Sequence, residues 1–96
     1  MPNTFQAGET VICTREVKDL DGNYVDPATS MQISIYDIHN GAEVEDVDMI
    51  KDTMGMYHYD YTLLDTAVDG TWWVKYVATD GARITIEWDS FEVTVH

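Results

Sequence analysis

The 96-residue sequence has few basic side chains: five Lys and Arg stand against eighteen Asp and Glu, giving a formal net charge of −13. Phosphates and anionic membrane surfaces repel such a chain, and the Lys and Arg contacts that drive nucleic-acid binding are scarce. We therefore expect no nucleic-acid partner and no membrane partner. Two interpretations of the acidic bias stay open: a salty habitat, or a surface that keeps a secreted or assembled protein soluble and steers it toward a basic partner.

Cysteine and long apolar runs are also scarce. The single cysteine, Cys13, excludes an internal disulfide and a multi-cysteine zinc site. No stretch approaches the roughly 18 apolar residues of a membrane span, and no secretory signal pattern is visible at the start. The chain is nevertheless 45% hydrophobic and 11% aromatic, which is too apolar for a disordered acidic tail. These features predict one soluble globular domain whose stability comes from packing alone.

Residues that adopt positive φ at low cost divide the sequence at short intervals, as tight hairpin turns require. They occur at Asp21-Gly22-Asn23, Asn40-Gly41, Gly55, Asp69-Gly70 and Asp80-Gly81. Apolar and polar residues alternate between these turns, which predicts strands over 9–18, 30–38, 56–63, 71–79 and 83–95. The pattern indicates an all-β fold, an antiparallel immunoglobulin-like β-sandwich of six to seven strands over 9–96, preceded by a flexible N-terminal arm over 1–8.

Aromatic side chains are expected to fill the core of this sandwich, because no disulfide is available to tie its sheets together. The expected core aromatics are Tyr57, Tyr59, Tyr61, Trp72, Tyr76, Trp88 and Phe91. Strand 71–79 is apolar on most of both faces, which predicts a central position in its sheet. The run 83–95 changes phase, because the apolar residues up to Trp88 share one face and those from Phe91 onward lie on the other. A β-bulge at Asp89-Ser90 would return both groups to the same side.

The segment 43–54 is ambiguous. Its apolar residues fit one stripe of a helix, and some of them also fit the inward face of a strand. A helix of this length is marginal in isolation, and the segments on both sides are predicted strands. We therefore expect two short extended segments joined around Asp46.

Metal-ligand patterns are weak in this sequence. Asp19-Leu20-Asp21-Gly22-Asn23 with Asp26 has the clustered oxygen ligands that suit calcium, but it lacks the closing bidentate Glu and the flanking helices of an EF-hand. An acidic hairpin turn is the favoured interpretation. His58 and Asp60 have ligand-compatible spacing without a third ligand, which favours a solvated strand face. We expect no metal ion and no other cofactor.

No nucleophile has a recognisable catalytic setting. Ser30, Ser34 and Ser90 fall in strand or bulge positions without an elbow motif. Cys13 lies in a predicted strand beside Val11, where a buried structural thiol is the favoured interpretation. Pairs of carboxylates are unavoidable in so acidic a chain and do not indicate glycosidase chemistry, which needs a cleft. The sequence therefore predicts a protein that is not an enzyme.

The adjacent tryptophans Trp72 and Trp73 point to opposite faces of a strand, so Trp73 emerges from the sheet if Trp72 enters the core. An exposed Trp is a common interface anchor. Alternatively, Trp73 is covered by segment 43–54 or lies against Met54 and Met56. An aromatic side chain in the N-terminal arm also suits docking onto a neighbouring subunit. The candidate interface residues are therefore Phe5, Met54, Met56 and Trp73.

Several stretches occur in an order that resembles a known group of proteins. They are Gly8-Glu9-Thr10-Val11, Asp21-Gly22-Asn23-Tyr24-Val25-Asp26-Pro27 leading into Met31-Gln32-Ile33-Ser34-Ile35-Tyr36-Asp37, Gly55-Met56-Tyr57-His58-Tyr59-Asp60-Tyr61, the run from Asp69-Gly70-Thr71-Trp72-Trp73 to Asp80-Gly81, and Phe91-Glu92-Val93. This order resembles the small immunoglobulin-like virion structural proteins encoded among the head and tail genes of tailed phages and related archaeal viruses. Gly-x-Tyr-x-Tyr followed by a Gly-Thr-Trp strand also occurs in macroglobulin-like and bacterial surface modules.

The resemblance implies a non-enzymatic structural or accessory protein of a tailed virus. Such a protein is located in the virion, attached by protein–protein contacts to the capsid or the head–tail neck. Its partners would be capsid, portal, neck or tail proteins, in multiple copies or as a homo-oligomer. The alternative is a carbohydrate- or host-surface-binding adhesion module. A row of coplanar exposed rings would support sugar binding, whereas an anchor within an apolar patch would support protein contact.

Overall fold

The computed structural model describes residues 4–94, and all the regular elements in that range are strands. The strands are β1 (Thr4–Gln6), β2 (Thr10–Glu16), β3 (Ser30–Tyr36), β4 (Ala42–Asp48), β5 (Ile50–Thr53), β6 (Met56–Thr62), β7 (Gly70–Asp80) and β8 (Arg83–Thr94). They form a five-stranded sheet, in the order β1-β8-β7-β3-β4, and a three-stranded sheet, in the order β2-β6-β5. The all-β prediction is confirmed, with eight strands instead of six or seven. Between residues 4 and 94 there is no helix whose length and apolar character would let it cross a membrane.

The core lies between the two sheets. From β7 the alternate residues Trp72, Val74 and Tyr76 are buried, and from β3 Ile33 and Ile35 have no exposed surface. The three-stranded sheet closes over them with Val11, Cys13, Tyr57 and Leu63, which are also buried. This is the two-residue periodicity that the sequence predicts for an inward-facing strand surface.

Strand β7 is central in its sheet, as its two apolar faces predict. It pairs with β8 in one continuous antiparallel register, from Gly70 opposite Val93 to Asp80 opposite Arg83. The predicted bulge at Asp89-Ser90 is therefore wrong. The apolar residues before Asp89 do not return to the core face; they stay on the outer face of the sheet.

The segment 43–54 is extended, as predicted, but its two strands are joined at Met49 and not at Asp46. Strand β4 belongs to the five-stranded sheet and β5 to the three-stranded sheet. Met49 is buried where the chain crosses between them, and its N–H donates to the carbonyl oxygen of Met31 at 2.9 Å. Asp46 has a φ of 51° within a bulge of β4, where its N–H donates to Ser34 Oγ at 3.0 Å. This bond satisfies a hydroxyl that is fully buried.

Part of the segment predicted as a flexible N-terminal arm over 1–8 is a short strand. Residues Thr4–Gln6 form β1, which pairs in parallel with β8 from Glu92 to Thr94. The Phe5 ring meets the Phe91 ring edge-on, with centroids 5.7 Å apart, and this contact ties the segment to the core. Residues 1–3 of the predicted arm, and residues 95–96, lie outside the described residues.

Candidate functional site

The outer face of the five-stranded sheet carries a contiguous apolar area. Its side chains are those of β3, β7 and β8 that point away from the core, and we refer to them as the outer apolar surface: Tyr36, Trp73, Val77, Ile84, Ile86 and Trp88. The register places Trp73 opposite Tyr36, and Val77 opposite Ile86. The exposed fractions are 43% for Trp73, 61% for Ile84, 53% for Ile86 and 55% for Trp88. Single exposed apolar residues are normal, but a contiguous group usually marks a contact site.

An aromatic cluster occupies one end of this surface. The Tyr36 and Trp88 rings lie with their centroids 5.9 Å apart and their planes inclined by 35°. Lys75 Nζ lies 5.8 Å from the Tyr36 ring centroid and 5.9 Å from the Trp88 ring centroid, within reach of a cation–π interaction with each. Tyr36, Asn40, Trp73 and Trp88 line a shallow depression of about 290 Å³. The cluster therefore offers several ring surfaces, one amide and one cation to a partner.

Of the predicted interface residues, only Trp73 belongs to the outer apolar surface. Phe5 packs half-buried against the core through Phe91, so its ring stabilises the fold. Met54 and Met56 are exposed, but Met54 lies in the turn after β5, and Met56 is a residue of β6 in the three-stranded sheet. The two methionines therefore lie on the opposite side of the sandwich from Trp73 and do not cover it.

Most residues of the outer apolar surface were not anticipated from the sequence. The sequence predicts Trp88 in the core, and it predicts a bulge through which the apolar neighbours of Trp88 on β8 face the interior. The change of phase in the run 83–95 could have indicated this surface. In a strand without a bulge, one of the two groups of apolar residues must face solvent. The register of β7 and β8 shows that Ile84, Ile86 and Trp88 form the exposed set.

The possible calcium loop is an ordinary turn stabilised by its own carboxylate. Asp19 Oδ1 accepts the N–H groups of Asp21 at 2.9 Å and Asn23 at 3.0 Å. Asp26 accepts from Lys51 Nζ at 2.6 Å, from the Gly55 N–H at 2.8 Å and from the Tyr57 hydroxyl at 3.1 Å. The hydrogen bond from Lys51, followed by that from Gly55, holds the pKa of Asp26 below its usual range.

A groove of about 510 Å³ lies beside this turn, but three of its four carboxylates already have partners within the chain. Asp19 and Asp26 make the bonds described above, and Asp80 Oδ1 accepts the Ala28 N–H at 3.2 Å. Over residues 4–94, no three His, Cys, Asp or Glu side chains are grouped so that they could hold a metal ion. His58 does not pair with Asp60; its Nδ1 lies 2.6 Å from Asp52 Oδ1 on the neighbouring strand β5.

Cys13 has the environment of a structural thiol. It is buried between the sheets, and this burial raises the pKa of the Cys13 thiol to about 11. The thiolate, which is the reactive form, is therefore scarce near neutral pH. The side chain packs in the core and offers no nucleophile to an outside molecule.

The raised pKa of Cys13 predicts a loss of stability in alkali. Between the ordinary thiol pKa near 8.5 and the folded pKa of about 11, the folded state holds a proton that the unfolded state releases. The free energy of unfolding should therefore decrease as the pH rises through this window, by about 3 kcal/mol in total. Urea unfolding of the native chain and of Cys13→Ala at several pH values between 7 and 11.5 measures the difference. Equal pH slopes for the two proteins would contradict the prediction.

Comparison with known proteins bears on the fold. No family model and no curated protein matches the chain. A crystal structure of a Salmonella alpha-2-macroglobulin mutant matches 97% of this chain, with a TM-score of 0.77 and 22% sequence identity. The chain corresponds to 6% of the length of that protein. This likeness confirms the immunoglobulin-like β-sandwich and shows the fold alone.

Proposed function

We propose that this chain is a non-enzymatic attachment domain that binds a larger protein assembly through its outer apolar surface. The observation that carries the proposal is the contiguous exposure of Trp73, Ile84, Ile86 and Trp88 on one sheet face. Trp and Tyr are enriched among the residues that dominate binding energy at protein interfaces. A chain with a formal net charge of −13 stays soluble while it exposes such a surface, because the molecules repel each other.

Protein contact accounts for this surface better than sugar binding does. The Tyr36 and Trp88 planes are inclined by 35°, so these rings do not form a coplanar platform. Beyond the rings the surface continues into the aliphatic side chains of Val77, Ile84 and Ile86. An apolar centre with large aromatic anchors is the composition of a protein–protein interface core.

We further propose a virion as the setting, with a capsid or head–tail neck protein as the partner. This step is supported by the resemblance of the sequence to small immunoglobulin-like virion proteins. The described residues are compatible with it, since they form one small sandwich with an exposed aromatic face. The likeness to part of a macroglobulin concerns the fold and neither adds to this step nor opposes it.

The proposal is tested by binding to purified particles of the virus whose genome encodes the chain. Labelled protein is mixed with particles that lack it, and the bound fraction is measured by co-sedimentation. We expect saturable binding of the native chain, and a decrease in affinity of about 30-fold or more for Trp88→Ser, as for an interface residue worth 2 kcal/mol. Leu20→Ser is the control, because Leu20 is fully exposed on a loop away from this face. Its affinity should equal that of the native chain.

Two results would overturn different parts of the proposal. Absence of saturable binding by the native chain would exclude attachment to the particle. Undiminished binding of Trp88→Ser would exclude the outer apolar surface as the attachment site.

The shallow depression lined by Tyr36, Asn40, Trp73 and Trp88 favours a glycan as the second candidate ligand. Binding on a glycan array that Trp88→Ser abolishes, without binding to particles, would support the adhesion module instead.

A further inference from the structure

The edge of β8 offers unused backbone hydrogen-bonding groups. In the described part of the chain, β7 pairs with one edge of β8 along Arg83–Val93, whereas β1 covers the other edge only beside Glu92–Thr94. The segment 83–90 therefore has one open edge, and its residues from Arg83 to Asp89 are all exposed. Unpaired N–H and C=O groups along an extended strand are a template for pairing with another strand.

The other edges of the two sheets are protected or less apolar. Strand β4 carries a bulge with positive φ at Asp46 and four acidic residues within seven positions. Strands β1 and β5 have only three and four residues, and β2 exposes Ile12 among Thr10, Thr14 and Glu16. Bulges, charges and short length are the usual means of preventing edge pairing. The segment 83–90 carries the charged residues Arg83, Glu87 and Asp89, but they alternate with exposed apolar side chains and the segment has no bulge, so charge is its main protection.

We propose that two copies of the chain form a dimer by antiparallel pairing of their β8 edges, with Ile86 on the two-fold axis. In this register the numbers of two facing residues add up to 172. Ile86 then lies opposite Ile86 of the second copy, and Ile84 lies opposite Trp88 of the second copy. Cross-strand pairs of aliphatic and aromatic side chains stabilise antiparallel strands.

The same register also matches charges. Arg83 lies opposite Asp89 of the second copy, and the symmetry repeats this pair at the other end of the ladder. Asp89 is more than half exposed, and its contact with Arg15 of its own chain is long, at 3.7 Å. Its Oδ1 accepts the Ser90 N–H at 2.8 Å, and because each carboxylate oxygen can accept more than one hydrogen bond, Asp89 can still bind Arg83 of the second copy. A shift of the register by two residues in either direction would lose the opposition of Ile84 to Trp88. In one direction it would also lose the ionic pairs, whereas in the other Arg83 would face Glu87.

Pairing joins the two five-stranded sheets into one continuous sheet. The two outer apolar surfaces then lie side by side, which doubles the surface available to a partner. The formal net charge of −13 on each copy opposes association at low ionic strength, and salt screens this repulsion. The dimer should therefore be stronger at 0.5 M than at 0.05 M salt, the reverse of what binding to a basic protein strand would show.

Dimer formation is tested by sedimentation velocity, measured over a range of protein and salt concentrations. We expect a reversible monomer–dimer equilibrium that shifts toward dimer with salt. Ile86→Lys places two cations on the axis and should weaken the dimer at least tenfold without changing the circular dichroism spectrum, because the side chain is exposed. Leu64→Lys adds the same charge at an exposed residue of the loop before β7, away from the edge, and should leave the dimer intact. A monomer under all conditions would overturn the proposal, and so would an Ile86→Lys dimer of native strength.

Cysteine cross-linking tests the register. Ile86→Cys should form an intermolecular disulfide under mild oxidation, because residues directly opposite each other lie within disulfide reach. Ile84→Cys alone should not, since its two copies would be about four residues apart along the ladder, roughly 14 Å. An equal mixture of Ile84→Cys and Trp88→Cys should give the mixed dimer. The native chain, with only buried Cys13, is the control. Ready cross-linking of Ile84→Cys alone would overturn the register.

Discussion

Replacing Trp72 with alanine is expected to decrease the free energy of unfolding by about 3–5 kcal/mol. Trp72 is 3% exposed, and its ring lies 5.9 Å from Phe91 and 6.5 Å from Tyr61, measured between centroids. Its Nε1–H donates to the Val68 carbonyl oxygen at 2.9 Å, so truncation also leaves that acceptor without its partner. For a domain of this size, such a loss lowers the melting temperature by more than about 12 °C. Thermal unfolding followed by circular dichroism measures it.

Trp73→Ala is the matched control, since it also replaces a tryptophan with alanine, at the adjacent position, whose side chain lies on the opposite face of the sheet. The Trp73 side chain is nearly half exposed, so we expect the free energy of unfolding to change by about 1 kcal/mol or less. The two variants therefore separate the two roles: Trp72→Ala destabilises the sandwich, and Trp73→Ala alters the outer apolar surface in a folded chain. Equal destabilisation by both substitutions would show that the outer face is packed against part of the chain.

Gly55→Ala is expected to be the second most damaging substitution. Gly55 has a φ of 75°, and a Cβ there would lie 2.7 Å from the Val17 carbonyl oxygen and 2.9 Å from Tyr24 Cβ. The Gly55 N–H donates to Asp26 Oδ1 at 2.8 Å, and the Gly55 carbonyl oxygen accepts from the Val17 N–H at 2.7 Å. Relief of the clash would break these bonds. We expect a loss of about 3 kcal/mol or more in urea unfolding.

Gly22→Ala separates backbone strain from steric conflict. Gly22 has a similar φ of 84°, but nothing lies within 4 Å of the position that its Cβ would occupy. The substitution therefore costs only the left-handed conformation, about 1–2 kcal/mol. If Gly55→Ala decreased the free energy of unfolding no more than Gly22→Ala does, the segment containing Val17 would not pack closely against the turn at Gly55.

The parts of the fold that the sequence predicted are those where local pattern and turn chemistry agree. Strand β7 alternates buried and exposed positions, and the turn after Asp80 supplies positive φ at Gly81, so the β7–β8 hairpin was predictable. Strand β1 was not, because its three residues have no strand pattern of their own and pair with a segment almost 90 positions later. Such pairing depends on tertiary contacts, which are invisible in a window of neighbouring residues.

The candidate site was only partly predictable for a related reason. The sequence identified Trp73, because two adjacent strand residues cannot both enter the core. Its prediction for Trp88 is wrong, because a bulge would place every apolar residue of β8 on the buried face. The same alternation fits a bulged strand with one apolar face and a regular strand with two. Only the pairing of Asp89 with Val74 decides between them.

The parallel pairing of β1 with β8 determines how the sandwich would respond to tension. Because Thr4 and Thr94 lie at opposite ends of two strands that run in the same direction, pulling them apart slides one strand along the other. The hydrogen bonds between the strands are then loaded together and must rupture at once, whereas an antiparallel pair pulled from its open end separates bond by bond. A domain built in this way resists mechanical extension along the line joining those two residues.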